Sequence, residues 1–175
     1  QNLKLLKPLG IKTKNKIQFV HLLKENKIFA DEFLKKNKKS EGPLIVMHPG
    51  SWWRASVKKW PLKNYIELAS ILIKEYNASI LVVCGPSEEK IGTEMKAGLN
   101  NSKNIIIFEK QNLKNTAAII EKCDAFVSSD SGAMHVAEAM NIPVVMIPGY
   151  TLFKFSGVYK KENIKNVVWE NIWCY

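Results

Sequence analysis

The chain has 175 residues, 46% of them hydrophobic, with 26 Lys plus Arg against 16 Asp plus Glu and a formal charge of +10. That composition supplies the core of one ordinary domain; the length argues against two full domains, and the apolar content against wholesale disorder. No apolar run reaches the roughly 18–20 residues that cross a bilayer as a helix. No charged segment followed by an apolar one opens the sequence, so no signal peptide is expected. The first residue is Gln1 rather than Met, which reads as the start of a fragment.

Three cysteines, Cys84, Cys123 and Cys174, are an odd number with no CxxC pair. They predict neither a disulfide framework nor a zinc site. Cys84 and Cys123 sit beside apolar runs and read as buried core thiols in a reducing cytosol. The positive charge is uneven: residues 1–41 carry eleven lysines and four acids, and Arg54 is the one arginine. Specific readers of nucleic acid grip bases and phosphates with arginine, so specific nucleic-acid binding is not expected. A lysine surface of this kind fits solvation or weak attraction to an anionic membrane face.

In chain order, Leu3, Leu5 and Leu6 predict a short helix ending before Pro8 and Gly10. Residues 22–36 read as a helix with a broad apolar stripe. From Pro43 the pattern changes to short apolar runs alternating with helical stretches. Leu44 to Met47 is a buried strand. Tyr65, Leu68, Ala69, Leu72, Ile73 and Tyr76 then mark one face of a helix after Pro61. Ser79 to Cys84 is a second strand. Gly85-Pro86 turns it into a helix whose first turn carries Glu88 and Glu89, complementing the helix dipole. Ile105 to Phe108 is a third strand, and Asn112 caps a helix through about Lys122. Ala125 to Val127 is a fourth strand, Ser131 to Met140 a helix of small residues, and Pro143 to Ile147 a fifth strand. Val167-Val168-Trp169 reads as a sixth. Strands apolar throughout and alternating with helices predict an α/β fold, a Rossmann-like parallel sheet with helices on both faces. Such sheets place ligands beyond the carboxyl ends of their strands.

Five loops follow strands: 48–59, 85–89, 108–112, 128–132 and 148–151. The first, His48-Pro49-Gly50-Ser51 and then Lys58-Lys59-Trp60-Pro61, has a glycine, a hydroxyl and two lysines, a set that suits a phosphate as well as a solvated surface. Ser128-Ser129-Asp130-Ser131-Gly132 with His135 stands where a strand turns into a helix. Asp130 or Ser131 can cap that helix, and its free N–H groups can hold an anion. Glu88 or Glu89 can accept from two ribose hydroxyls or simply complement the dipole. Neither GxGxxG nor Walker A is present. No Ser-His-Asp order, HExxH motif or clustered histidines point to a hydrolase or a metal, and no cofactor is expected.

Taken in order, these loops, with Gly149-Tyr150-Thr151 after the fifth strand, resemble glycosyltransferase family 9, the bacterial lipopolysaccharide heptosyltransferases. The likeness is carried by residues 43–151. It implies one half of a GT-B fold, with residues 1–42 as the end of an acceptor domain plus interdomain segment and 43–175 as the nucleotide-sugar donor domain. It implies an inverting, metal-independent transferase, ADP-heptose as donor and the lipopolysaccharide inner core or another lipid-linked acceptor. The site would be cytoplasmic and peripheral at the inner membrane. The family's catalytic Asp base would lie in the other half, leaving this chain inactive alone. Carried over position by position, Ser51 and Lys58 match residues that touch the donor phosphates. Glu88 or Glu89 corresponds to the ribose-binding acid, Glu88 being preferred, Gln111 falls where the backbone contacts adenine, and Asp130, Ser131, Gly132 and His135 match the donor-contacting motif. Ser131 stands where the family usually has Thr, Tyr150 where it has Pro, and Trp52 to Val57 form a longer insert. Two alternatives stay open: half of another GT-B transferase or sugar-nucleotide epimerase, or a noncatalytic nucleotide-binding module.

Overall fold

The computed structural model describes residues 2–11, 18–50, 60–109, 111–147 and 164–167. Six strands form one parallel sheet: β1 (Leu44–His48), β2 (Ser79–Val83), β3 (Ile105–Phe108), β4 (Ala125–Ser129), β5 (Val144–Ile147) and β6 (Ile164–Val167). Their spatial order is β3-β2-β1-β4-β5-β6, the order of doubly wound dinucleotide-binding sheets. Among the described residues α1 (Lys24–Asn37) precedes the sheet, and α2 (Leu62–Tyr76), α3 (Glu89–Gly98), α4 (Leu113–Ile120) and α5 (Gly132–Ala139) lie between its strands. The predicted Rossmann-like sheet is present with helices on both faces.

The strands are runs of Val, Ile, Leu and Met because both faces are covered. β1 and β2 are buried at every position. Alternate side chains feed two cores. Leu44, Val46, Leu81 and Phe126 pack with α1, α4 and α5 on one face. Ile45, Met47, Ile80 and Val82 pack with Tyr65 and Ala69 of α2 and Met95 of α3 on the other. Helix α1 lies within the 1–42 segment yet shares the first core. Phe33 meets Phe108 edge-on with ring centroids 5.1 Å apart, and Asn26 Nδ2 donates to Asn115 Oδ1 of α4 at 2.9 Å.

Local chemistry explains the element ends. Asn112 Oδ1 accepts from Asn115 N at 2.8 Å and starts α4, as its cap signal predicts. Asn77, Asn100, Asn101 and Asn141, all beyond helix ends, adopt positive φ, a left-handed conformation that asparagine tolerates well. The α2 stripe buries Tyr65 and Ala69 and leaves Tyr76 exposed where the helix runs past the sheet.

Some ends differ from the sequence reading. The predicted 22–36 helix begins at Lys24, because Leu23 N donates to Asn26 Oδ1 at 3.1 Å and sets the first turn there. The N-terminal segment forms a 3-10 helix over Asn2–Leu9 that includes Pro8. Proline's fixed φ suits that helix and merely removes a donor; Gly10 at φ +72° ends it. β6 covers Ile164–Val167 rather than starting at Val167, because an edge strand accepts polar residues such as Lys165 and Asn166 and so carries little apolar signal. Val168 and Trp169 lie outside the described residues.

Cys84 and Cys123 are free and buried, as their apolar surroundings predict. Burial, then the charge of Glu88, Glu109 and Glu89, pushes the Cys84 thiol from 9.0 to about 11. Burial and then Asp124 push Cys123 to about 12. Both thiols keep their protons to higher pH folded than unfolded. Their contribution to stability is therefore complete below about pH 9 and is lost as pH rises through about 11 and 12. We expect both to resist a disulfide-exchange reagent at about pH 8 until the protein is denatured, since the thiolate is the reactive form, and the urea midpoint to fall as pH is raised above about 9.

Candidate functional site

The sheet is built outward in two directions. From β1 the chain winds through α2, β2 and α3 to β3. It then returns over the other face through α4 to place β4 on the opposite side of β1. The loops leaving β1 and β4 therefore diverge, and a crevice opens between them at the carboxyl edge. The pairing that sets its floor is Val46 with Phe126, Met47 with Val127, and His48 with Ser128.

On the β4 side every hydroxyl has a defined partner. Ser128 Oγ donates to the Ser129 carbonyl at 2.7 Å. With that proton used, the 2.8 Å contact between Ser128 Oγ and Ser131 Oγ has Ser131 as donor. Ser131 Oγ in turn accepts from Met134 N at 3.3 Å and caps α5, whose helical residues begin at Gly132 rather than at the predicted Ser131. Gly132 and Ala133 open α5 with N–H groups for which an α-helix has no internal acceptor. Gly132 is exposed, and a Cβ there would meet nothing within 4 Å among the described residues. Asp130 borders it, half-buried. His135 follows one turn later with a third of its side chain exposed.

Ser129 ties this edge to α2. Its N–H donates to Tyr65 Oη at 3.1 Å, and the two hydroxyls lie 3.3 Å apart. Trp60 N also donates to Ser129 Oγ at 3.3 Å, while the Trp60 ring stands edge-on to Tyr65 at 4.8 Å. Burial raises the Tyr65 phenol above its usual range, its bonds to Ser129 opposing, so Tyr65 is a neutral brace here. Gly50 and Trp60 are the described residues on either side of the 51–59 segment, and each is held at the crevice edge.

On the β2 side a largely sheltered carboxylate faces a buried histidine. Glu88 Oε2 accepts from Gly85 N at 2.7 Å and lies 3.4 Å from His48 Nε2. Ser87, at φ +68°, folds the loop back so that this carboxylate reaches inward. Gly50 presses on the same group, since a Cβ there would overlap the Glu88 carboxylate. This is a close approach that glycine alone permits. Two loops from different strands are thus clamped through one side chain.

The sequence-predicted residues fall as follows. Asp130, Ser131, Gly132 and His135 come together at the β4 exit, and Glu88 sits across from them at the β2 exit. Glu89 is exposed in the first turn of α3, away from this clamp. Gln111 is exposed beyond β3, where its Oε1 accepts from Asn115 Nδ2 at 3.3 Å. Ser51, Lys58, Lys59 and the turn Gly149-Tyr150-Thr151 lie outside the described residues. Sequence reasoning named His48, Ser128 and Ser129 within their motifs without giving them a supporting role, and gave Tyr65 and Glu138 no place in the site. Tyr65 was legible only as one position of an apolar helix face, and Glu138 only as one residue of a small-residue helix.

Comparisons with known proteins agree with this architecture. The sequence matches "Glycosyltransferase family 9 (heptosyltransferase)" over residues 4–175. It is 35% identical over 114 residues to lipopolysaccharide heptosyltransferase 2 of Salmonella typhimurium, covering 63% of this chain and 32% of that protein. A lipooligosaccharide heptosyltransferase 2 of Campylobacter jejuni is 26% identical over 141 residues, covering 79% and 43%. Among solved structures, the ADP-heptose lipopolysaccharide heptosyltransferase II of Escherichia coli superposes with a TM-score of 0.71 at 27% identity, covering 82% of this chain and 43% of that one. The family 9 glycosyl transferase of Veillonella parvula gives 0.78 at 22%, covering 90% and 44%. The match thus spans about a third of the length of the heptosyltransferase 2 proteins of Salmonella typhimurium, Escherichia coli and Haemophilus influenzae. With a family match across nearly its whole length and a sheet, crevice and loop order of the same kind, the chain belongs to glycosyltransferase family 9, the heptosyltransferases.

Proposed function

We propose that this chain forms the nucleotide-sugar donor site of a heptosyltransferase, taking ADP-heptose for transfer to the inner core of lipopolysaccharide. The observation that carries the reading is the crevice between β1 and β4. It sets a capped helix N-terminus, a serine hydroxyl and an imidazole on one side and a clamped carboxylate on the other. A diphosphate at the opening of α5 would meet the Gly132 and Ala133 N–H groups, the Ser131 hydroxyl and His135. Ser51 and Lys58, assigned from their motif, would complete the charge.

Moving along the carboxyl edge from β4 toward β3 crosses three strand spacings, on the order of 14 Å. That path runs from the α5 opening past Glu88 to Gln111, the order phosphate, ribose, base. Glu88 gives one oxygen to Gly85 N and His48. A carboxylate has about four acceptor positions, which ribose hydroxyls would share with the partners Glu88 already holds. The base would lie against the backbone at Gln111.

The chemistry of this half is departure of the leaving group. As the anomeric carbon passes to the acceptor oxygen, negative charge grows on the departing diphosphate. Fixed N–H dipoles and a nearby imidazole meet that charge without reorganising. The acceptor, a lipid-linked saccharide, would bring the enzyme to a membrane face, which the lysine-rich 1–41 stretch fits.

Two outcomes test the reading. In calorimetric titrations with ADP, UDP and GDP, ADP should bind preferentially. Ser131→Ala and Lys58→Ala should each weaken it by about ten- to a hundredfold, the value of a charge-assisted hydrogen bond of about 1.5–3 kcal/mol. Equal affinity for all three nucleotides, or none for any, would overturn it. Gly50→Ala should push the Glu88 carboxylate out of its clamp, lowering stability by about 1–3 kcal/mol and weakening ADP as well. A Gly50→Ala protein with unchanged ADP affinity would remove Glu88 from the ribose site.

A further inference from the structure

One buried carboxylate has no part in the reading above. Glu138 is 1% exposed, although α5 is otherwise built of glycine, alanine, methionine and valine apart from His135. Its neighbours in the helix, Met134 and Ala137, belong to the core under the sheet, with Val136 and Met140 packed against it. A charge among such residues is costly unless it is paired, and an apolar side chain of the same size would commonly serve packing as well or better. Glu138 Oε2 lies 3.6 Å from His135 Nδ1, one helical turn away. His135 Nδ1 is itself buried while the side chain is 34% exposed. The exposure therefore falls on the rest of the ring, and Nε2 is the ring nitrogen able to face the crevice.

We propose that Glu138 is a positioning residue that acts through His135, fixing the ring so that Nε2 meets the diphosphate of the donor. The proposal rests on the reading of the crevice given above and adds the residue that governs its imidazole. A carboxylate beside Nδ1 selects the tautomer with the proton on that nitrogen and steadies the imidazolium once a second proton arrives at Nε2. The ring then donates Nε2–H to a phosphate oxygen, with the positive charge balanced from behind. At 3.6 Å the pair is in ion-pair range, and such contacts tighten when a ligand holds the far side of the ring. The neutral Nδ1–H ring offers the anion only a lone pair at Nε2, so the form that binds is the imidazolium, and without Glu138 nothing behind the ring balances its charge.

Three variants separate positioning from simple packing. Glu138→Met keeps the volume, removes the charge and suits the core. We expect its urea midpoint to hold or rise while ADP affinity falls about tenfold, the lower end for loss of such a supporting contact. Glu138→Gln keeps an acceptor oxygen and should recover part of that affinity. In a double-mutant cycle with His135→Ala, the Glu138→Met change should cost nothing further. Long-range proton–nitrogen spectra of the His135 ring, taken without nucleotide, should show Nδ1–H in the wild-type chain and a mixture of tautomers in Glu138→Met. A lower urea midpoint with full ADP affinity in Glu138→Met, or additive losses in the cycle, would overturn the proposal. If the wild-type chain takes up no ADP, the reading of the crevice falls. The ring spectrum still decides the pairing, because an unchanged tautomer in Glu138→Met overturns it without any ligand.

Discussion

Everything at the carboxyl edge depends on β4 pairing with β1 on the side away from β2. A right-handed crossover on one face carries the chain from β1 to β3, and α4 brings it back over the other. If β4 had continued outward beyond β3, its loop would run alongside its neighbours and no crevice would open. Because it reverses, His48 and Ser128 share a register position, and the loops that follow diverge from a common floor. The pairing is enforced by burial. Both strands are apolar on two faces, so a slip of one residue would exchange the side chains of two filled cores.

That floor is polar where the interior is not, and its hydroxyls are paired with one another, while the buried His48 Nδ1 has no hydrogen-bond partner among the described residues. Tyr65, Ser128, Ser129 and Ser131 form a chain of hydrogen bonds from α2 to the start of α5. Glu88 joins the β1 and β2 loops through His48 and Gly85. Buried polar networks of this kind are costly when incomplete and rigid when complete. Rigidity is useful here, since donors aimed at a growing negative charge help most when they need not move. Ser131 shows how structure and function share a group. Its lone pairs hold the helix cap, and its proton rests on Ser128. In the proposed reading an arriving phosphate would compete for a proton already engaged, and ligands that cannot offer a strong acceptor would be disfavoured.

The architecture was legible because it follows from period and composition. Apolar runs of four or five residues separated by helical stretches leave little but a parallel sheet, and the Asn112 cap and the Gly85-Pro86 turn mark their elements by local chemistry alone. The misreadings share a cause. β6 contains Lys165 and Asn166 because an edge strand has less to bury, so its apolar signal begins one strand-length late. The start of α5 moved by one residue because a capping serine is counted as helical by pattern and as a boundary by hydrogen bonding. Asp130, Ser131, Gly132 and His135 were legible as a group because they lie close together in the chain. His48 and Glu88 lie forty residues apart in the chain, and only the adjacency of β1 and β2 joins them. No local pattern could have shown that pair, nor the inward turn of Glu88 away from the dipole role that its position in the sequence fits equally well.

Glu138 carries the same lesson further. By sequence it is a charged residue in a small-residue helix, where the ordinary reading is a solvated face. The fold reverses that reading. α5 lies between β4 and the core it shares with α4, so the face that bears position 138 is the one turned inward. A helix with two polar side chains could have placed them apart. Here they stand three residues apart, on one side, with the deeper one acidic and the shallower one basic. The energetic logic favours a link between them, because the carboxylate oxygen lies 3.6 Å from the imidazole Nδ1 on the same side of the helix. The imidazole gains an orientation that its partial exposure would not impose. The core and the crevice thus meet along α5, and the cost of keeping a charge in the first is matched by a fixed donor in the second.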